Sequence, residues 1–107
     1  MQRFGQIIRV RPEKEEYYKE LHANAWKGVL DKITECNIKN YSIFMRDGFL
    51  FAYFEYHGED FEADMQKMAA DPLTQEWWGE CKPCQQPIDT AKDDEWWVTM
   101  ESVFFHP

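Results

Sequence analysis

Apolar and polar positions along this chain change their period several times, and each change marks an element. Phe4 to Val10 reads as a short strand rich in Ile and Val, broken by Gly5 and ended by Arg11-Pro12. From Pro12 the period lengthens to 3.6. Tyr18, Leu21, Ala25, Val29 and Ile33 form one stripe, widened by Trp26 and Leu30, which predicts a helix from residue 12 or 13 to about Cys36 with Asn37 as its stop. Pro12 suits a first helical turn, and Glu13, Glu15 and Glu16 complement its positive end. Gly28 is its weak point, costing on the order of 1 kcal/mol against Ala. The period then returns to two. Tyr41 to Arg46 and Phe49 to Tyr56 read as strands joined at Asp47-Gly48, the signal for a tight hairpin. Phe61, Met65, Met68 and Ala69 restore a helical stripe, and Asp71-Pro72 caps and restarts a helix that carries Leu73, Trp77, Trp78 and Cys81. Lys82 to Asp94, with Pro83 and Pro87, reads as a loop that moves or lies over a site. Trp97 to Phe105 closes the chain as a strand.

The order strand, helix, strand, strand, helices, strand predicts a single α+β domain over residues 1–107. Its arrangement is ferredoxin-like, an antiparallel sheet with helices on one face. The hairpin is apolar on both sides, with Phe49, Phe51 and Tyr53 on one and Leu50, Ala52, Phe54 and Tyr56 on the other. A solvated face would alternate with polar residues. Tyr41, Ile43 and Met45 add to the apolar surface, and no segment is left to cover it. The expectation is a homodimer closed sheet to sheet through this open face, a dimeric α/β barrel.

Composition narrows the partners. A net charge of −8 over 107 residues argues against nucleic acid and anionic membrane surfaces, which require clustered Lys and Arg. The N-terminal apolar run is too short for a signal peptide and no segment suits a membrane span, so a soluble, cytoplasmic protein is expected. Three cysteines form no closed disulfide framework. Aromatic residues reach 17%, more than a core needs. On the first helix Tyr18, His22 and Trp26 fall at i, i+4 and i+8, setting a titratable imidazole between aromatic rings on one face. The same spacing also suits plain core packing with a satisfied histidine. Trp77 and Trp78 lie about 100° apart on their helix, so they do not both bury in one place.

The set Tyr18-x-x-x-His22, Asn40-Tyr41-Ser42-Ile43, Gln75-Glu76-Trp77-Trp78 and Val103-Phe104-Phe105 near a C-terminal proline resembles the L-rhamnose mutarotase family over nearly the whole chain. The resemblance implies a dimeric, cofactor-free and metal-free enzyme that interconverts the α and β anomers of a monosaccharide. It implies His22 as proton donor and Tyr18, Tyr41, Trp77 and Trp78 as the lining of the sugar site. The chemistry asks for such groups: opening a hemiacetal moves protons in both directions near pH 7, which suits an imidazole of ordinary pKa about 6.5. Indole faces suit the C–H patches of a 6-deoxy sugar. This chain departs from the family at Ala23-Asn24-Ala25-Trp26-Lys27, where prolines are common, which suggests a straighter helix and leaves open L-rhamnose or another 6-deoxy or neutral hexose.

Other readings stay open at this level. A cofactor-independent monooxygenase or haem-degrading enzyme uses the same kind of fold, and a non-catalytic ligand-binding domain would use the same aromatics. Cys81-Lys82-Pro83-Cys84 matches a redox CxxC in spacing but lacks the strand and helix N-terminus that activate one. Trp96 and Trp97 read as strand residues filling two layers, and His57 and His106 as surface residues.

Overall fold

The computed structural model describes residues 1–107. Its element order is β1 (Gln2–Val10), α1 (Glu15–Ala23), α2 (Lys27–Glu35), β2 (Ile38–Arg46), β3 (Phe49–Tyr56), α3 (Phe61–Ala69), α4 (Pro72–Cys81), β4 (Gln85–Gln86) and β5 (Val98–Thr99). The antiparallel sheet runs β2-β3-β1-β4, with β5 also pairing to β1. The four helices cover one face of this curled sheet, giving an α+β half-barrel of the expected class.

Local chemistry explains most of the boundaries. The hairpin turn takes Asp47 and Gly48 to φ of 54° and 80°, the pair of positive angles that a type I′ turn requires. Asn37 stops α2 at φ 66°, its N–H bonded to the Thr34 carbonyl. Asp71 caps α4 by accepting from the Thr74 N–H at 3.0 Å and the Thr74 hydroxyl at 2.8 Å.

Five expectations are corrected. The single helix to Cys36 is two helices, because Asn24 leaves the helical region and its side chain bonds back to the Glu20 carbonyl at 3.0 Å. Trp26 is extended and turns inward, so the segment breaks without any proline. Gly28 consequently sits in the first turn of α2 rather than mid-helix, where a Cβ would fall 2.4 Å from Leu73 of α4. Gly5 does not break β1, which pairs through it with Tyr53. The closing strand shrinks to Val98–Thr99 because the edge of β1 is shared: β4 takes Arg9 and Val10, and β5 takes only Gln6 and Ile7. Beyond Met100 the tail lies exposed, although the Arg3 guanidinium stacks on the Phe105 ring at 3.2 Å.

The fifth correction concerns parity. Lys39 pairs with Glu55 and Ser42 with Tyr53, so Asn40 and Tyr41 together oppose Phe54 in a β-bulge. Strict alternation from the buried Ile38 would send Tyr41 outward. The extra residue turns Tyr41, Ile43 and Met45 toward the helices instead. The outer face therefore carries a different apolar row, Val98, Ile7, Phe51 and Phe44 in register across four strands, with Phe44 65% exposed.

Asn40 holds the bulge in a left-handed conformation, φ 52°, and its amide donates to Glu55 at 2.9 Å. That bond, with those from His57 and Tyr53, holds the Glu55 carboxyl down to about 2. Asn tolerates φ of this sign and a β-branched residue does not. Asn40→Val is expected to lower unfolding free energy by about 1–2 kcal/mol in urea melts followed by circular dichroism. Asn40→Gly, which keeps the backbone conformation, should lose less; equal losses would contradict this account of the bulge.

Candidate active site

Helix α1 places Tyr18 and His22 one turn apart on the face turned to the sheet, and their rings stack with centroids 4.1 Å apart and planes at 29°. Trp77, from α4, meets the imidazole edge-on at 5.1 Å and 66°. Trp26, turned inward by the break after α1, packs on Trp77 at 5.1 Å and 73°. Tyr41 approaches from the bulge in β2 and tilts against Phe54 at 5.5 Å.

These side chains border a cavity of about 730 Å³ between α1, α2 and β2. Val29, Ile33, Ile43 and Leu50 supply apolar wall, and exposed Lys19, Thr34, Lys39 and Asn40 stand at its edge. An adjoining lobe of about 440 Å³ shares Tyr18, His22, Tyr41 and Trp77 and extends to Trp78, Gln85 and Trp96. Trp77 is buried and borders both spaces, whereas half-buried Trp78 faces only the second, as its 100° offset requires.

The protonation states follow from burial and from hydrogen-bond partners. His22 Nδ1 lies 2.9 Å from the Tyr18 carbonyl oxygen, which can only accept, so Nδ1 carries the proton. Nε2 keeps its lone pair and has no hydrogen-bond partner in the protein. Burial lowers the His22 pKa below its ordinary 6.5, and the carbonyl bond offsets part of that. The imidazole is neutral at pH 7. Burial raises the phenol of Tyr18 well above 10, against the opposing hydrogen bond from Gln85. Tyr41 keeps 44% of its surface exposed, yet protein packs closely around its hydroxyl and burial pushes that group up to about 12. The cavity thus offers one uncharged proton acceptor, two phenols that stay protonated, and flat aromatic walls. That inventory fits a neutral, polyhydroxylated molecule.

All five residues singled out from the sequence reach this region. Two others were missed. Gln85, 4% exposed, donates from Nε2 to the Tyr18 hydroxyl at 3.2 Å, and Trp96 Nε1 donates to Gln85 Oε1 at 2.8 Å. Trp96 is therefore not a strand residue filling a layer, as expected, but a loop residue tied into the site. Nothing local distinguishes Gln85 from Gln86; only the fold carries it to Tyr18, 67 positions away. Cys81 and Cys84 are buried free thiols, and burial pushes Cys81 up to about 12, the opposite of an activated redox pair. No group of three or more His, Cys, Asp or Glu side chains converges to hold a metal ion.

The site can be set beside known proteins. The family model for L-rhamnose mutarotase matches residues 3–106. An L-rhamnose mutarotase of Oceanobacillus iheyensis is 32% identical over 99% of this chain and 98% of its own. One from Lactiplantibacillus plantarum is 29% identical over the same shares. Among solved structures, an L-rhamnose mutarotase from Formosa agariphila superposes over the full length of both chains with a TM-score of 0.77 at 18% identity. The tetracenomycin F2 cyclase of Streptomyces glaucescens, a polyketide cyclase, superposes over the full length of both with 0.71 at 14%. At these identities the last two speak for the fold alone.

The tautomer and pKa of His22 are directly testable. A ¹⁵N-detected NMR titration should find the proton on Nδ1 and a midpoint below 6.5. A midpoint above 6.5, or an Nε2–H tautomer, would contradict the geometry described.

Proposed function

The chain belongs to the L-rhamnose mutarotase family, and from that premise we propose that it interconverts the α and β anomers of L-rhamnose or of a related 6-deoxy or neutral hexose. Membership makes it a sugar isomerase rather than an oxygenase, a haem-degrading enzyme or a passive binding domain. The observation that carries the assignment of residues is the unengaged Nε2 of a neutral His22, set among Tyr18, Tyr41 and Trp77 around one cavity.

In the proposed mechanism, His22 first acts as a base and takes the proton of the anomeric hydroxyl at Nε2. As the bond between the anomeric carbon and the ring oxygen breaks, the imidazolium becomes the proton donor to that ring oxygen. The open aldehyde turns about its C1–C2 bond and recloses by the reverse transfers on either face. Burial favours this order, because an imidazole of lowered pKa holds its proton only transiently. Tyr18 and Tyr41 hydrogen-bond sugar oxygens as neutral phenols. Trp77 lies against the C–H surface of the ring, and Trp78 stands toward the second lobe, near a deoxy methyl or an outer hydroxyl.

We also infer that the working form is a homodimer closed through the outer sheet face. Val98, Ile7, Phe51 and Phe44 form a continuous apolar row there, and no helix of the same chain covers it. No helix is long and apolar enough to cross a membrane, which accords with a cytoplasmic metabolic enzyme.

Saturation-transfer NMR between the anomeric protons tests the activity, with L-rhamnose, L-fucose and galactose as substrates. Wild type should accelerate exchange of at least one sugar, and His22→Ala should lose roughly 10²–10⁴-fold. The wild-type rate above background should fall as pH drops through the His22 pKa, below 6.5, because the protonated imidazole cannot accept. No acceleration of any sugar would sink the proposal. Analytical ultracentrifugation should find twice the chain mass, and Phe44→Glu with Phe51→Glu should yield monomer; a monomeric wild type would refute the dimer.

A further inference from the structure

Three donors and acceptors in series leave the Tyr18 hydroxyl a single role. An indole N–H can only donate, so the 2.8 Å contact from Trp96 Nε1 makes the facing atom of Gln85 its carbonyl oxygen. The amide nitrogen of Gln85 is then the atom 3.2 Å from the Tyr18 oxygen, and an NH₂ group can only donate. Tyr18 must accept that bond. Its own proton has no acceptor in the protein, and the residue borders both lobes of the cavity. Gln85 and Tyr18 are only 4% and 3% exposed, so the bond between them is held inside the protein.

Resting on the mutarotase reading above, we propose that Gln85, oriented by Trp96, is a positioning residue that makes Tyr18 a dedicated hydrogen-bond donor to the sugar oxygen that gains negative charge during ring opening. A donor fixed in advance toward developing charge costs no reorientation when the bond breaks. His22 moves the proton and Tyr18 steadies the charge. Trp96 stands at the end of the connection between β4 and β5, so this link also makes the seating of that loop a condition for the donor's alignment. Tyr41 has no such partner, so the two phenols are not equivalent.

Gln85→Glu inverts the polarity at one point. A carboxylate accepts from Trp96 and from Tyr18 at once, which turns the phenol proton away from the sugar. At pH 7.5 the variant should lose about tenfold in kcat with KM little changed. Taken as a ratio to wild type at each pH, so that the titration of His22 common to both cancels, the deficit should narrow as pH falls and the new carboxyl protonates. Trp96→Phe keeps an aromatic ring but frees the amide to flip, and should lose several-fold. In a Tyr18→Phe background neither substitution should cost anything further. Circular dichroism and thermal melting establish that each variant is folded; if Gln85→Glu does not fold, Trp96→Phe with and without Tyr18→Phe decides. Losses that multiply with Tyr18→Phe, or variants as active as a working wild type, would overturn this inference alone. A wild type inactive on every sugar would overturn the mutarotase reading and this inference with it.

Discussion

The sheet has two apolar faces, and the chain has helices enough for one. Ile8, Val10, Leu50, Ala52, Phe54 and Tyr56 lie buried beneath the helices, and removing side chains the size of Ile8 and Leu50 from water contributes about 1.5–3 kcal/mol each. The cover is broken where α1 ends at Ala23 and α2 starts again at Lys27. The cavity is the space between this broken cover and the sheet. The uncovered face carries Phe44, Phe51 and Ile7, and this is the surface through which a second copy completes the barrel in our reading.

Within that frame one inserted residue decides what the cavity contains. Strand parity alternates strictly, so the residues on either side of Asn40 and Tyr41 keep opposite phases, and the bulge reconciles them at the cost of one left-handed residue. Tyr41 gains its place opposite Tyr18 and His22 by this means. Asn40 pays through a conformation that few residues accept, steadied by Glu55.

The low polarity of the wall sets the chemistry. Desolvation disfavours the charged forms of the half-buried imidazole, of the buried Tyr18 phenol and of the Tyr41 hydroxyl, so the three groups rest neutral, one able to accept a proton and two able to donate hydrogen bonds. The lysines Lys19 and Lys39 stand only at the edge, so a neutral hemiacetal seated against these three groups meets no charged one. The backbone bond at Nδ1 and the Trp96–Gln85 pair then remove the remaining ambiguity, since each ends in a group that can only accept or only donate.

Period and turn chemistry were enough, from the sequence, for the α+β class, the hairpin at Asp47-Gly48, the stop at Asn37 and the cap at Asp71, because each depends on residues adjacent in the chain. Tyr18 and His22 were legible as a pair for the same reason, four residues apart on one helix, while Tyr41, Trp77 and Trp78 needed the family resemblance. The break at Asn24 was not legible. Asn24 is compatible with a helix, and its local bond to Glu20 comes together with the packing of Trp26 on Trp77, some fifty residues later. The side to which Tyr41 points, the shortness of β5 and the tie from Trp96 through Gln85 to Tyr18 likewise belong to the tertiary structure alone. Each is a competition for one partner, a strand edge or a hydrogen-bonding atom, among segments distant in sequence, and periodicity carries no information about which segment wins.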